Sequence, residues 1–440
     1  MAGCIHVRAG RLPVAPGEGV TSPGADRRAT CAAAAARLYN RPRGVRKGSE
    51  CRMDGYGPFD GTWGERARLA WDALAGKPTR GIPSWIVHTM DIPFMEQYVG
   101  CAAGDFVRDP EGVYLKFQHA AGACFVDQWI PRNPLTMGQH GFEASAQRSA
   151  TTGAERIVLD GIEIDSPESV VDHMEKVVWP QRQREIETLD QQADARLEQL
   201  IRQEVQVQRF LGPNLLKGPY SDGFQTFPAF RYGTYGYANY FMAYALYPEV
   251  IARDFAQQAD LAVLRNRLAA RAIIDGGLPR QIRLDHDMAD SRGTLVDIRS
   301  LDAIWFPPFA RSIQPFLDAG VRLIWHCDGN LMQMVPRLIE CGIRGFQGFQ
   351  YEDGMDYERI CRMKDRDGEP LFIVAGVSVT RTLPFGTPDD VRRQMKWLVE
   401  NGPKCGLMLG ASSSITPGVP HENLRAFIEG LTYYRREGRG

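Results

Sequence analysis

The segment Val321-Arg-Leu-Ile-Trp-His-Cys-Asp-Gly-Asn330 has the highest chemical content of the chain. Its apolar run reads as a short buried strand. The run ends in His326, Cys327 and Asp328, and Gly329-Asn330 turns the chain. In extended backbone His326 and Asp328 share one face, with Cys327 on the other as a buried bystander. An imidazole beside a carboxylate at a strand end suits a divalent ion or a proton-transfer pair. Glu352, beyond the next predicted strand, adds a second carboxylate. His326, Asp328 and Glu352 form the candidate metal set: one nitrogen and two oxygens, a donor set suited to zinc or a harder divalent ion with one position open. The local alternative is a His–Asp hydrogen bond that stiffens the turn.

Other strand ends carry polar residues too. Asp285-His286-Asp287 puts Asp287 forward as a base or substrate acceptor, with His88 and Asp127 as further acid–base candidates. Gln350 and Ser413 are candidate substrate contacts, Ser413 within a serine run at 412–414. Residues 212–247 are dense in Gly, Pro and aromatics. Tyr220 and Tyr235 stand for that stretch as walls of an apolar pocket; a hydrophobic plug over the barrel mouth is the plainer reading. No GxSxG elbow, no GxGxxG after a strand and no phosphate-binding GxxxxGK[ST] loop occurs, which disfavours serine hydrolases and nucleotide-binding folds.

The elements that must position these residues alternate. Apolar runs at 82–89, 124–130, 281–287, 321–326, 343–349, 371–377 and 406–410 are predicted strands. Helical patterns separate them, notably from Pro248 to about Leu268, Arg311–Ala319, Leu331–Cys341, Asp389–Glu400 and Glu422–Tyr434. This rhythm predicts an α/β fold of the (β/α)8 TIM-barrel class, whose chemistry gathers at the strands' C-terminal ends. Residues 166–210 break the rhythm as a long, charged helical insertion, read as a solvated excursion or one arm of a homodimer contact. The domain reading is a disordered or mis-started tail over 1–52, with Met53 an alternative start, followed by the barrel over 53–440.

With 440 residues, 44% hydrophobic, and a net charge of −1, the chain can bury a large core and offers no electrostatic case for nucleic acid or a membrane surface. No apolar run is long enough to span a bilayer. Nine scattered cysteines without a CxxC pair point to a reducing cytoplasm.

Several blocks taken together resemble the uroporphyrinogen decarboxylase superfamily. They are Gly233–Ile251, Leu284-Asp-His-Asp-Met-Ala289, the Val321–Asn330 block, Glu352-Asp-Gly-Met-Asp356, Ala375-Gly-Val-Ser378, Gly386–Val391 and Ile415–Leu424. The resemblance covers about residues 80–436. It implies a (β/α)8 barrel and either a metal-free decarboxylase or a zinc-dependent methyltransferase working with a corrinoid protein or coenzyme M. The decarboxylase branch has an Arg-Gln-Ala-Gly-Arg-Tyr motif after the first strand; this chain has Ile86-Val-His-Thr-Met-Asp-Ile-Pro-Phe94, without arginine, and Pro134 where that branch has an aspartate. A tetrapyrrole with eight carboxylates needs cationic partners, so haem biosynthesis is disfavoured. The methyltransferase branch carries His-x-Cys-Gly and a later cysteine. His326 matches the histidine, Asp328 stands for the first cysteine and Ser413 for the second. The resemblance therefore implies metal-assisted methyl transfer of the O-demethylation type from a small molecule, at an oxygen-rich site, to a corrinoid supplied by a partner protein, with zinc the first-choice ion. The alternatives are a metal-independent decarboxylase or acid–base lyase acting on a carboxylated small molecule, and a barrel without catalysis.

Overall fold

The computed structural model describes residues 62–132, 156–220 and 222–439. The expected tail over 1–52 and Pro134 lie outside them.

Parallel segments follow one another in chain order. We label Phe125–Val126 as β1, Leu216–Lys217 as β2, Gln281–Asp285 as β3, Arg322–His326 as β4, Gly345–Gln347 as β5, Phe372–Val377 as β6 and Leu407–Ala411 as β7. Strands β3 to β7 form one five-stranded sheet in sequential order, every pair parallel. β1 and β2 form a separate parallel pair. The backbone at Ser84 and Trp85 links the two sets, with a parallel bridge from Ser84 to Leu409 of β7 and another from Trp85 to Phe125 of β1. The architecture is thus α/β around a parallel sheet. Among the described residues no backbone pairing joins β2 to β3, so the predicted ring is not closed by strand ladders there. Side chains cross that gap: Tyr220, just after β2, donates to Asp285 of β3, and Arg283 of β3 donates to Asp127, just after β1.

Parallel strands covered on both faces read as continuous apolar runs. β6, Phe-Ile-Val-Ala-Gly-Val, is buried at every position. The structure shortens several predicted strands. The 82–89 run pairs only through isolated bridges, at Ser84, Trp85 and Thr89. The 343–349 run pairs only over Gly345–Gln347, because Gly348 turns to φ +86°. β2 escaped the sequence reading: its two residues sit among Gly212, Pro213, Gly218 and Pro219, where no periodicity can develop.

The helices follow the predicted pattern, most with longer bounds, while the one predicted over Leu331–Cys341 spans only Val335–Cys341. α1, Pro248–Asp275, is a 28-residue helix packed on α2, Phe306–Asp318. α3, Pro388–Asn401, opens on a capping box in which the Thr387 hydroxyl accepts from the Asp390 N–H and the Asp390 carboxylate accepts from the Thr387 N–H. α4, His421–Glu437, closes the described chain against it. Phe227, Trp305, Phe309 and Trp325 pack as an aromatic core between α2 and β4, with ring centroids 4.5 to 6.1 Å apart.

The insertion is helical as expected, from Pro167 to Leu211, but it is not a solvated excursion. It buries Val170, Met174, Trp179, Leu189, Leu197, Leu200 and Leu211 and packs on α1. Its anchor is Asp254 of α1, only 1% exposed. That carboxylate accepts from Trp179 Nε1 at 3.1 Å, Arg182 Nη1 at 2.9 Å, Arg231 Nε at 3.2 Å and Gln258 Nε2 at 2.7 Å. The high charge of the segment masked these widely spaced apolar contacts.

Candidate functional site

β3 and β4 run side by side in a register that pairs Asp285 with His326. Paired residues of parallel strands project to the same face, and His326 Nε2 lies 3.9 Å from Asp285 Oδ1. It lies 4.0 Å from Asp328 Oδ1, beyond the end of β4. His326 is 8% exposed. Its Nδ1 and the Asp328 Oδ1 are buried and meet no hydrogen-bond partner among the described residues. Gly348 makes room for the ring: a Cβ there would stand 2.4 Å from His326 Nδ1.

The serine run supplies the third position. Ser413 Oγ, beyond β7, donates to Asp328 Oδ2 at 3.1 Å. His326, Asp328 and Ser413 therefore meet at one place. Gln350 contributes to the turn, its Oε1 accepting from the Gly329 N–H at 3.0 Å. Glu352 departs from the expected trio: its Oε1 accepts from Ser378 Oγ at 2.8 Å, at the end of β6. Among the described residues no three His, Cys, Asp or Glu side chains form a ready-made metal cluster. The carboxylate that stands beside His326 in place of Glu352 is Asp285. Loop direction after β5, invisible in a strand-end inventory, turns Glu352 toward β6.

Asp287 caps the same turn, its Oδ1 accepting from the Asp328 N–H at 3.2 Å. Burial pushes its carboxyl above the ordinary range, and the Asp328 carboxylate pushes the same way. Asp285 behaves oppositely. Burial raises it, but His326 and Arg283, with hydrogen bonds from Tyr220 and Arg283, together hold it below the usual carboxylate range. His286 turns away into the aromatic stretch. It stacks on Tyr232 with centroids 5.9 Å apart, its Nε2 accepts from the Phe230 N–H, and burial lowers its pKa to about 4. Cys327 is buried as expected, its Sγ accepting from the Met288 N–H at 3.3 Å.

Asp127 is not free to act as a base. Its Oδ2 accepts from Arg283 Nε at 2.7 Å, and both groups are nearly inaccessible. Arg283 was not among the expected site residues. The signal for it was present: Arg283, Asp285 and Asp287 alternate along one strand. His88 shares a hydrogen bond with the Tyr114 hydroxyl at 2.9 Å. Burial, reinforced by the nearby Arg283 guanidinium, lowers its pKa to about 4 and keeps the ring neutral.

The two tyrosines part company. Tyr220 belongs to the site, its hydroxyl donating to Asp285 Oδ2 at 2.8 Å. Tyr235 does not line a pocket. It is fully buried, and its hydroxyl pairs with His173 Nδ1 at 2.9 Å, under the insertion. Much of the aromatic stretch, including Phe224, Phe227, Phe230 and Tyr240, is likewise core.

No family model matches the chain, and no curated protein matches it. Among solved structures, a methyltransferase from Methanosarcina mazei is similar at 14% identity and a TM-score of 0.47, over 84% of this chain and 98% of that one. A structure provisionally assigned as a vitamin-B12-independent methionine synthase from Listeria monocytogenes is similar at 17% identity and a TM-score of 0.31, over 54% of this chain and 68% of that one. Likenesses this distant carry no argument about the reaction. No described helix is long and apolar enough to cross a membrane.

Proposed function

We propose that the chain is an enzyme that takes a methyl group from a small oxygen-bearing donor and passes it to a corrinoid carried by a separate protein. In this reading the parallel segments complete a (β/α)8 ring, the gap between β2 and β3 being spanned by side chains, and a divalent ion, zinc first, is held by His326 and Asp328. The supporting observation is the meeting of His326, Asp328 and Ser413, with Nε2 and Oδ1 4.0 Å apart and Oγ 3.1 Å from Oδ2. These are the three positions that the family resemblance aligns with a histidine and two cysteines. The buried, unpartnered Asp328 Oδ1 is the kind of donor that an absent cation leaves behind. When bound, such an ion supplies Lewis acidity to a substrate oxygen.

The chain's own groups would do the rest. Ser413 fixes the Asp328 carboxylate by donating to one oxygen and leaves the other toward His326. Gln350 and Asp287 brace the backbone N–H groups of the turn that carries Asp328. Asp287, with its raised proton affinity, can hold or return a proton at the rim.

The test is metal content and zinc affinity of the purified wild type beside His326→Ala and Asp328→Asn, coupled to methylation of an added reduced corrinoid across a panel of methyl donors. Uptake of one ion, lost in His326→Ala, supports the reading; a wild type that takes up no ion ends it. The raised carboxyl of Asp287 favours a second reading, a metal-independent acid–base lyase on a carboxylated small molecule. Lyase activity that survives exhaustive chelation would select it.

A further inference from the structure

Resting on the methyl-transfer reading above, we propose that Gln347 binds the methyl donor. Its Oε1 accepts a hydrogen bond from a hydroxyl or amine group of that molecule, so the donor carries such a group and not a carboxylate.

Gln347 is the last residue of β5, a polar residue inside an otherwise apolar run. Register pairs it with His326 of β4, which is itself paired with Asp285 of β3. The three form one row across three strands, on one face of the sheet. Trp325, one position before His326, identifies that face. Its ring packs on Phe227, Trp305 and Phe309 on the side of α2, so His326 and Gln347 lie on the opposite side, where the site is. From β5 the Gln347 side chain reaches past β6 to the residue that follows β7: its Nε2 donates to the Ser412 carbonyl at 3.3 Å. Ser412 is itself held, its N–H donating to the Val377 carbonyl at 2.9 Å and its Oγ accepting from the Val379 N–H at 3.1 Å. The next residue is Ser413, which donates to Asp328.

The bond to Ser412 fixes which way the amide faces. Turned over, it would set Oε1 against a carbonyl oxygen, two acceptors with no proton between them. Oε1 therefore points away from Ser412. It is buried and meets no hydrogen-bond partner among the described residues, in a residue 9% exposed. Buried polar oxygens are nearly always paired, and an acceptor left unpaired costs stability that a ligand can restore. What this atom lacks is a hydrogen-bond donor, a hydroxyl or an N–H. The charge around it points the same way. Asp285, Asp287 and Asp328 gather at the rim. Arg283, the guanidinium beside them, is already taken by Asp127 at 2.7 Å and Asp285 at 2.8 Å. Three carboxylates outweigh even a divalent ion, so a carboxylate on the ligand is repelled where a hydroxyl or an ammonium is not.

Four ethers of closely matched size test this on the full chain: 2-methoxyethanol, 2-methoxyethylamine, methoxyacetate and 1-methoxypropane. Binding is read by ligand-observed NMR titration, with and without added zinc. The hydroxyl or the amine probe, or both, should bind at least about tenfold tighter than 1-methoxypropane, because a site with a buried acceptor rejects an analogue that cannot pair it. Methoxyacetate should bind weakest. The first two probes tell a hydroxyl from an ammonium. Gln347→Met keeps the length of the side chain and removes the amide, and the preference over 1-methoxypropane should disappear. Gln347→Asn draws the amide back by one methylene, should lose most of the preference, and serves if Gln347→Met does not fold. A wild type that binds methoxyacetate best, all four alike, or none overturns the proposal. So does a Gln347→Met protein that is less stable yet keeps the wild-type order, since Oε1 then serves only a resident water. Zinc uptake is measured on the same samples. Uptake with the wrong ether order sinks the substrate class alone; the expected order without uptake sinks the metal-assisted transfer and leaves Gln347 as a binding residue.

Discussion

Asp285 Oδ1 faces His326 Nε2 across 3.9 Å, from adjacent strands in register. No hydrogen bond joins them at that distance, yet the Asp285 carboxylate is held in place by two donors on its far oxygen. This pair, not the local His326–Asp328 motif alone, defines the face of the site.

Gly348 should be intolerant of any side chain. Its φ is +86°, and a Cβ would lie 2.4 Å from His326 Nδ1 and 3.1 Å from the Cys327 carbonyl oxygen. Gly348→Ala is expected to cost about 1–2 kcal/mol from the left-handed backbone alone, and to displace the imidazole. A urea titration would read the first effect and zinc uptake the second; unchanged zinc uptake in a folded Gly348→Ala protein would refute the crowding argument.

Tyr235 should be structural. Removing its hydroxyl leaves the buried His173 Nδ1 without its partner, which costs about 1–3 kcal/mol. Tyr235→Phe is therefore expected to lower the melting temperature without altering KM for a methyl donor in the proposed transfer. A changed KM at unchanged stability would restore it to a pocket wall.

Asp254 should hold the insertion to α1. Asp254→Asn leaves the 6%-exposed Arg182 without its counter-charge, and breaking a buried pair in this way costs about 3–5 kcal/mol. Amide exchange should rise first over residues 167–211, the insertion, and less in β3 to β7. Uniform exchange across both would contradict the anchor role.

Acid should destabilise the fold through two histidines. His88 and His286 have pKa values lowered from 6.5 to about 4. The unfolded chain binds protons at these sites near pH 6.5 that the folded chain refuses, so their contribution is fully present above pH 6.5 and is lost as pH falls toward 4. The full effect is at most about 3 kcal/mol for each group. Denaturant midpoints taken between pH 7.5 and 4 should fall steadily, and His88→Gln should flatten the curve. An equally steep curve in that variant would remove His88 from the explanation.

Much of this was legible from the residues. The apolar runs that end in His326, Asp328 and Ser413 are local patterns, and local patterns suffice to say that those side chains sit at strand ends. Helix starts such as Thr387 with Asp390 are equally local. Cys327 on the far face follows from the two-residue period of extended chain. What could not be read was which strand end faces which. Glu352 alone looked like the second carboxylate; only the pairing of β3 with β4, and the turn of the loop after β5 toward β6, puts Asp285 beside His326 and Glu352 beside Ser378. The same holds for Asp127, taken up by an arginine 156 positions away, and for β2, too short to show a period. Spacing along the chain determines the face that a side chain takes; the neighbour it meets there is decided by strand register and loop direction, which arise from contacts between residues far apart in sequence.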